Sequence, residues 1–272
     1  MPVIRTAEDG FDWRLRTPRA VLLRWVGWFA LVALTVSCWQ LMTADTIWSF
    51  VTDAPTQGAD IVDRMMPPRW DYMAKLWWPL WDTINIATLG TLAAVIMGVP
   101  VAFLAARNTT PSVTLVRPVA LLIIVSSRSI NSLIWALLLV SILGPGVLAG
   151  IVAIALRSIG FIGKLLYEAI EEIDVTQVEA VTASGAGPTQ VMDYAIVPQI
   201  MPAFAGITVF RWDINIRESA VVGLVGAGGL GLQLEASLNT LAWPQVSLIL
   251  LVILATVLLS EWLSAKVRHA II

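Results

Sequence analysis

The sequence has 272 residues, of which 58% are hydrophobic and only 13% are charged, with a net charge of −2. Soluble domains are about 45–50% apolar and about 25% charged, so this balance indicates a polytopic membrane protein, and it offers no basic surface for nucleic acid. One cysteine, Cys38, and one histidine, His269 near the end of the sequence, exclude a disulfide framework, a Cys/His metal cluster and catalysis by a buried histidine. We expect no metal site and no catalytic residue.

Six apolar runs have the length of helices that cross a lipid bilayer. The first run follows several arginines, but it is too long for the apolar part of a signal peptide and no small-x-small cleavage site follows it. We interpret it as a retained helix. The predicted fold is all-α, a polytopic membrane protein with about six transmembrane helices. The runs are residues 24–43, 80–106, 118–143, 147–167, 200–224 and 244–264.

Lysine and arginine residues outside these runs predict the orientation of the chain. They are concentrated in the segments that lie inside when both termini are cytoplasmic, which is the distribution that the positive-inside rule favours. Residues 45–79 then form an external loop, and residues 168–198 lie on the cytoplasmic side.

Arginines inside the apolar runs indicate a path for an anion. Each arginine at the centre of a membrane helix costs roughly 2.5–3.5 kcal/mol on insertion scales, so these side chains must face a cavity or a counter-charge. Asp213 can pair with Arg217 four residues later, and Glu218 shares a helix face with Arg211. The two acids leave a surplus of about two positive charges, which favours the anion path; a purely structural role, holding helices together, is the alternative. The candidate path residues are Arg128, Arg157, Arg211, Arg217, Glu218, Ser129 and Asn131.

The segment 168–198 has the pattern of two short helices joined by a bend. Asp174-x-x-Gln177 has the form of a capping box and predicts a helix from about Val175. Gly185 is a suitable terminator, and Pro188 suits the first turn of a second short helix. Because the segment is acidic, anionic lipid repels it, and we expect a protein partner instead.

A glycine motif, Gly226-x-Gly228-x-x-Gly231, matches the dinucleotide-binding fingerprint. That fingerprint works only between a buried strand and a helix, whereas these glycines follow a predicted membrane span. We expect residues 223–231 to break the helix and to pack closely near the outer mouth of the protein.

The cytoplasmic segment resembles the EAA loop of ABC importer permeases. Glu179 and Ala180, with Gly185 and Pro198 at the family's spacing, carry the resemblance, although Val181 replaces the second alanine. The resemblance implies the type I (MetI-like) permease fold and a coupling helix seated in a cleft of an ATPase subunit. It further implies that Glu179 contacts the ATPase and that Gly185 makes the bend. The implied coupling residues are Glu179, Ala180, Gly185, Asp174 and Pro198.

Residues 211–231, RWDINIRESAVVGLVGAGGLG, are similar to the permeases of phosphonate and phosphate importers of the PhnE type, with a resemblance that covers about 75–270. This resemblance implies a homodimer in the lipid bilayer of a prokaryotic plasma (inner) membrane. Two ATPase subunits that bind ATP and Mg, an external solute-binding protein, and a cargo of phosphonate, phosphate or phosphite are implied as well. This chain needs no cofactor of its own.

The expected organisation is an N-terminal part, residues 1–74, followed by the transport domain, residues 75–272. Methionine and glycine-betaine permeases share a similar glycine-rich stretch, so a permease for another small solute is an alternative. An ion-driven secondary transporter is a second alternative, but it is expected to have internal repeats with discontinuous spans, which the sequence does not indicate.

Overall fold

Helices form almost all of the computed structural model, which describes residues 3–5, 11–13 and 18–271. A 3₁₀ turn at Trp70–Tyr72 precedes the third helix, and π-helical turns occur at Met192–Ile196 and Gly223–Ala227. The α-helices in the described residues are α1 Pro18–Thr43, α2 Trp48–Met65, α3 Met73–Ala105, α4 Val116–Ser129, α5 Ser132–Leu143, α6 Val147–Glu171, α7 Val175–Ala183, α8 Pro188–Val191, α9 Val197–Val222, α10 Gly229–Asn239 and α11 Trp243–Ile271. The predicted all-α class is confirmed.

The chain divides into two units, Met1–Asp60 and Ile61–Ile272. The first unit contains α1 and most of α2, together with a short antiparallel pair of strands, β1 Val3–Arg5 and β2 Phe11–Trp13. The strand pair was not predicted from the sequence, because three-residue strands are too short to show an alternating apolar pattern. The second unit contains the remaining helices and every candidate site residue.

The predicted membrane spans are confirmed in number. Within residues 18–271, five helical segments are long and apolar enough to cross a membrane, and the number is six when the bent pair α4–α5 is counted as one span. The five are Arg19–Thr43, Trp70–Ala105, Val147–Glu171, Pro188–Ala227 and Trp243–Ala270.

The predicted uninterrupted span over 118–143 is wrong in one respect: it is broken between α4 and α5, which are bent by 88°. Ile130 is extended, with φ −99° and ψ 129°. Asn131 caps the new helix by accepting a hydrogen bond from the Leu133 N–H at 3.1 Å. Asparagine competes for backbone hydrogen bonds and favours the N-cap over the helix interior, which explains the break. The break places Arg128 and Ser129 at the end of one helix and Ser132 at the start of the next.

Helix α6 lies at the centre of the second unit and packs against α3, α4, α5 and α9. Small residues allow this close packing, as is common between membrane helices. A Cβ atom added at Gly90 of α3 would lie 2.8 Å from Ile154 Cγ2 of α6, and one added at Gly98 would lie 3.3 Å from the Ile159 carbonyl oxygen. These two glycines therefore allow the backbones of α3 and α6 to approach closely.

The glycine-rich stretch breaks the helix, as predicted. Val225 and Gly226 leave helical geometry, and Gly226 has φ +90°. The Gly226 carbonyl accepts a hydrogen bond from the Gly146 N–H at 3.0 Å, and α10 then begins at Gly229. In the part of the chain that the structure describes, β1 and β2 are the only strands and they are antiparallel, so these glycines do not form a dinucleotide fold.

Replacing Gly231 by Ala is expected to lower the melting temperature of the purified protein. A Cβ atom at this position would lie 2.8 Å from Gly223 Cα and closer still to the Ala220 carbonyl oxygen, and both are backbone atoms that cannot rotate away. Overpacking of this kind costs about 1–3 kcal/mol. Gly206→Ala in α9 is the matched control, because no atom lies within 4 Å of the added Cβ. Equal melting temperatures for the two variants would contradict the close packing.

Candidate functional site

Three charged side chains of α6 and α9 form one cluster in the bundle, which we call the Arg157–Glu218–Arg211 cluster. The Arg157 guanidinium pairs with Glu218 Oε1, and Arg211 Nη2 lies 3.4 Å from Glu218 Oε2. The predicted proximity of Arg211 and Glu218 is confirmed. The contact with Arg157 was not predicted, because it joins residues 61 positions apart on different helices. One carboxylate therefore neutralises one of two guanidinium charges.

Arg211 is the buried member of the cluster, with a side chain only 3% exposed. Its Nε donates a hydrogen bond to Ser158 Oγ at 2.9 Å, and its Cζ lies 5.0 Å from the centre of the Phe161 ring. Ser158 in turn donates to Asn215 Oδ1 at 3.2 Å, and Asn215 Nδ2 donates to Thr91 Oγ1 at 2.7 Å. This polar chain through α6, α9 and α3 holds Arg211 in place; isolated polar residues within the apolar runs were its only sequence signal.

Arg157 is the more accessible arginine of the cluster, with a side chain 30% exposed. Its Nη1 also lies 3.4 Å from Ser132 Oγ, in the first residue of α5. The break between α4 and α5 therefore brings the start of α5 next to the cluster.

Arg128 ends α4 beside the same region of α6. It is exposed and makes no ion pair or hydrogen bond with another described residue. A Cβ atom added at Gly160, three residues after Arg157, would lie 2.7 Å from Arg128 Cγ. Ser127 Oγ accepts a hydrogen bond from the Gly160 N–H at 2.9 Å, which fixes the end of α4 against this turn of α6. The neutral neighbours bind backbone groups: Ser129 donates to the Val125 carbonyl at 2.8 Å, and Asn131 caps α5.

Arg217 forms a separate pair with Asp213, and this prediction is also confirmed. Arg217 Nη2 lies 2.8 Å from Asp213 Oδ2, and Asp213 Oδ1 accepts a hydrogen bond from Ser260 Oγ at 2.7 Å. The pair carries no net charge. The positive surplus that the sequence predicts therefore lies on Arg128 and on the Arg157–Glu218–Arg211 cluster, one charge each.

Residues 174–198, which the resemblance predicts to couple to an ATPase and which we therefore call the coupling segment, have the predicted helix–bend–helix form. Asp174 accepts a hydrogen bond from the Thr176 N–H at 2.9 Å, so α7 begins at Val175. Gly185, with φ +85°, follows the end of α7, and Pro188 opens α8. The second helix differs from the prediction, because it continues through a π turn into α9 and is not a separate short helix.

Helix α7 is exposed, and a side chain of α9 binds the residue that caps its start. None of its residues is buried, and Glu179 and Ala180 are both exposed. Gln199, next to Pro198 in the first turn of α9, accepts a hydrogen bond from the Asp174 N–H at 2.9 Å and donates to the Asp174 carbonyl at 3.4 Å. The start of α7 is therefore tied to the helix that carries Arg211 and Glu218.

Spanning helices around a charged interior, with an exposed helix–bend–helix segment tied to one of them, form the architecture that the sequence predicts for a membrane permease of the ABC importer class. Residues 94–269 match the family described as binding-protein-dependent transport system inner membrane component, and the chain belongs to this family.

Two relatives indicate the branch, and one solved structure indicates the fold. The chain is 39% identical over 251 residues to the phosphite transport system permease protein PtxC of Stutzerimonas stutzeri, covering 90% of this chain and 89% of that one. It is 40% identical over 244 residues to the phosphate-import permease protein PhnE of Mycolicibacterium smegmatis, covering 88% of this chain but 44% of that longer one. A structure of the inward-facing MetNI methionine ABC transporter aligns with a TM-score of 0.65 and 22% identity, over 75% of this chain and 99% of that one.

These comparisons confirm the predicted MetI-like fold and the predicted membership of the PhnE type of permeases. The chain is a multi-pass inner-membrane transport subunit and not an enzyme. Members of this family work with ATPase and binding-protein partners.

Proposed function

We propose that this chain is the membrane-spanning subunit of an ATP-driven, binding-protein-dependent importer for a small phosphorus oxyanion: phosphonate, phosphate or phosphite. The observation that carries the cargo class is the uncompensated positive charge at Arg128 and at the Arg157–Glu218–Arg211 cluster. The names of the relatives, a phosphite and a phosphate permease, support the same class. Residues 75–272 act as the transport domain, and residues 1–74 precede it.

Arg128 and Arg157 are the side chains that meet the anion. Guanidinium groups offer forked donors that match the oxygens of phosphate and phosphonate. Arg128 lies against the turn of α6 that follows Arg157, and both arginines are accessible, whereas Arg211 is buried. The break between α4 and α5 exposes backbone and polar groups at this depth, as discontinuous helices do around substrates in other transporters. Binding at this place is weak, because a transport path must also release its cargo.

The coupling segment receives the ATPase. Both termini and this segment lie in the cytoplasm, and two copies of the chain form a homodimer with two ATPase subunits that bind ATP and Mg. The exposed Glu179 and Ala180 seat α7 in the ATPase, and Gly185 sets its angle to α8. When ATP closes the ATPase pair, the movement of α7 passes through Gln199 to α9. Arg157 lies on α6 and Glu218 on α9, so a movement of α9 relative to α6 changes the distance between these two side chains.

The test of the cargo class is phosphite uptake by the reconstituted importer carrying Arg128→Gln or Arg157→Gln. We expect each variant to lower uptake at limiting phosphite by roughly tenfold or more, the value of one hydrogen bond to a charged group. Arg217→Gln is the matched control, because that arginine lies in the same bundle but is already neutralised by Asp213. Normal uptake by correctly folded Arg128→Gln and Arg157→Gln proteins would rule out the anion path. Uptake of methionine in place of phosphite would favour the alternative cargo.

A further inference from the structure

The Glu218 carboxylate occupies the place where an oxyanion would meet the two arginines of the cluster. Its two oxygens accept separately, one from Arg157 and the other from Arg211. A carboxylate and a phosphorus oxyanion present similar pairs of negatively charged oxygens to a guanidinium group. In this conformation the protein therefore satisfies its own anion-binding arginine.

The two arginines are held unequally. Arg211 is 3% exposed and is held by Ser158 and by the Phe161 ring, with its Nη2 at 3.4 Å from Glu218 Oε2. Arg157 is 30% exposed, and among the described residues its other side-chain partner is Ser132 at the long distance of 3.4 Å. If Arg157 turned away, Glu218 would keep a full counter-charge in Arg211. The Arg157–Glu218 contact is thus the one that can open without leaving a buried charge alone.

We infer that Glu218 is a specificity-determining residue that competes with the cargo for Arg157. Between turnovers it holds Arg157, and a phosphorus oxyanion binds only by displacing it. This inference rests on the proposed function, and it goes further by giving the acid a role of its own. The competition weakens cargo binding enough for release, and it disfavours weakly accepting anions that cannot replace a carboxylate.

A purely structural role for Glu218 explains the geometry less well. The contact between α6 and α9 already contains apolar packing, with Ile159 and Ile162 against Ile207. Buried ion pairs rarely stabilise a protein more than apolar residues of the same volume. An ion pair that served only to join α6 and α9 would need one arginine, whereas Glu218 contacts both Arg157 and Arg211.

The experiment measures the affinity of the assembled permease–ATPase complex for inorganic phosphite in lipid nanodiscs, without the binding protein. Glu218→Gln should raise the affinity between about tenfold and about a hundredfold, because one competing hydrogen bond between charged groups is removed. Glu218→Asp keeps a negative charge beside Arg211, but its side chain is too short to contact Arg157 as well, so it should also raise the affinity for phosphite. Glu218→Asp is therefore the second variant to measure if Glu218→Gln does not fold. In the Arg157→Gln background, Glu218→Gln should have no effect on affinity.

Asp213→Asn is the matched control, because it removes the other acid of α9, whose partners are Arg217 and Ser260. An equal gain in Asp213→Asn would mean that any lost negative charge attracts phosphite, and it would overturn the inference. Unchanged or weaker binding in folded Glu218→Gln and Glu218→Asp complexes would also overturn it, as would a gain that persists without Arg157. If Arg128→Gln and Arg157→Gln both leave uptake normal, the anion path of the proposed function fails. If Arg157→Gln lowers uptake while both Glu218 variants bind phosphite normally, only the competition by Glu218 fails.

Discussion

Gly185→Val is expected to reduce phosphite uptake by the reconstituted importer to the background level, while the protein still inserts and folds. Gly185 has φ +85°, a conformation that costs residues with a Cβ atom about 1–2 kcal/mol and is worst for β-branched side chains. No atom lies within 4 Å of an added Cβ, so the effect comes from the backbone and not from a collision. The chain relieves the strain by changing the angle between α7 and α8, and α7 then no longer fits the ATPase cleft.

Gly185→Asn separates this explanation from a general intolerance of side chains. Asparagine adopts positive φ more readily than other residues with a Cβ atom, so we expect it to retain most of the uptake. The measurements are phosphite uptake and ATP hydrolysis stimulated by the binding protein, with the melting temperature as a check on folding. Equal uptake by the valine and asparagine variants would mean that the bend at Gly185 does not set the position of α7.

The second large effect is expected from Glu179→Arg, which should uncouple ATP hydrolysis from transport. Glu179 is exposed on α7 and forms no ion pair with another described residue, so the protein itself loses no contact when its charge is reversed. At a surface seated in a partner, a reversed charge meets groups that are complementary to the original one, and such juxtaposition costs several kcal/mol. We expect uptake near background and ATP hydrolysis that no longer responds to the loaded binding protein.

Glu172→Arg provides a matched change of charge in the same acidic segment. Glu172 is the exposed C-cap residue that follows α6, where a positive charge suits the helix dipole, so stability should not fall. We expect this variant to transport phosphite normally. If Glu179→Arg also transports normally and binds the ATPase, then α7 is not the seat of the ATPase, and the route from α7 through Gln199 to α9 loses its first step.

Local signals explain which parts of the fold could be predicted from the sequence. The length of the apolar runs predicts the spans, Asp174 and Gly185 mark the ends of α7, and Gly226 marks the break before α10. Each of these features depends on residues that are close together in the chain. The same is true of the Asp213–Arg217 pair, which follows from helical spacing alone.

The break within 118–143 has a local sequence signal, Asn131, but the high average hydrophobicity of the run conceals it. Asparagine is a preferred N-cap residue. Within a long apolar run, however, Asn131 indicates only a polar group on the candidate anion path, and it does not by itself predict the start of a new helix.

The rest of the site depends on contacts between helices. Ser158 supports Arg211 from another helix, and Arg157 and Glu218 meet only because α6 packs on α9. Charge counting could show that two positive charges lack partners, but not which arginine is buried and which is accessible. That difference decides which side chain can meet the cargo.

The continuous helical segment Pro188–Ala227 has 40 residues, which corresponds to a length of about 60 Å, twice the thickness of the hydrocarbon core of a bilayer. Such a segment is longer than the hydrocarbon core is thick, and it connects the bend at Gly185 to the glycine turn at Gly223–Ala227. Tilting it about a pivot near Glu218 must displace both ends in opposite directions. We therefore expect that a tilt driven from the α7 end would widen one mouth of the passage while it narrows the other.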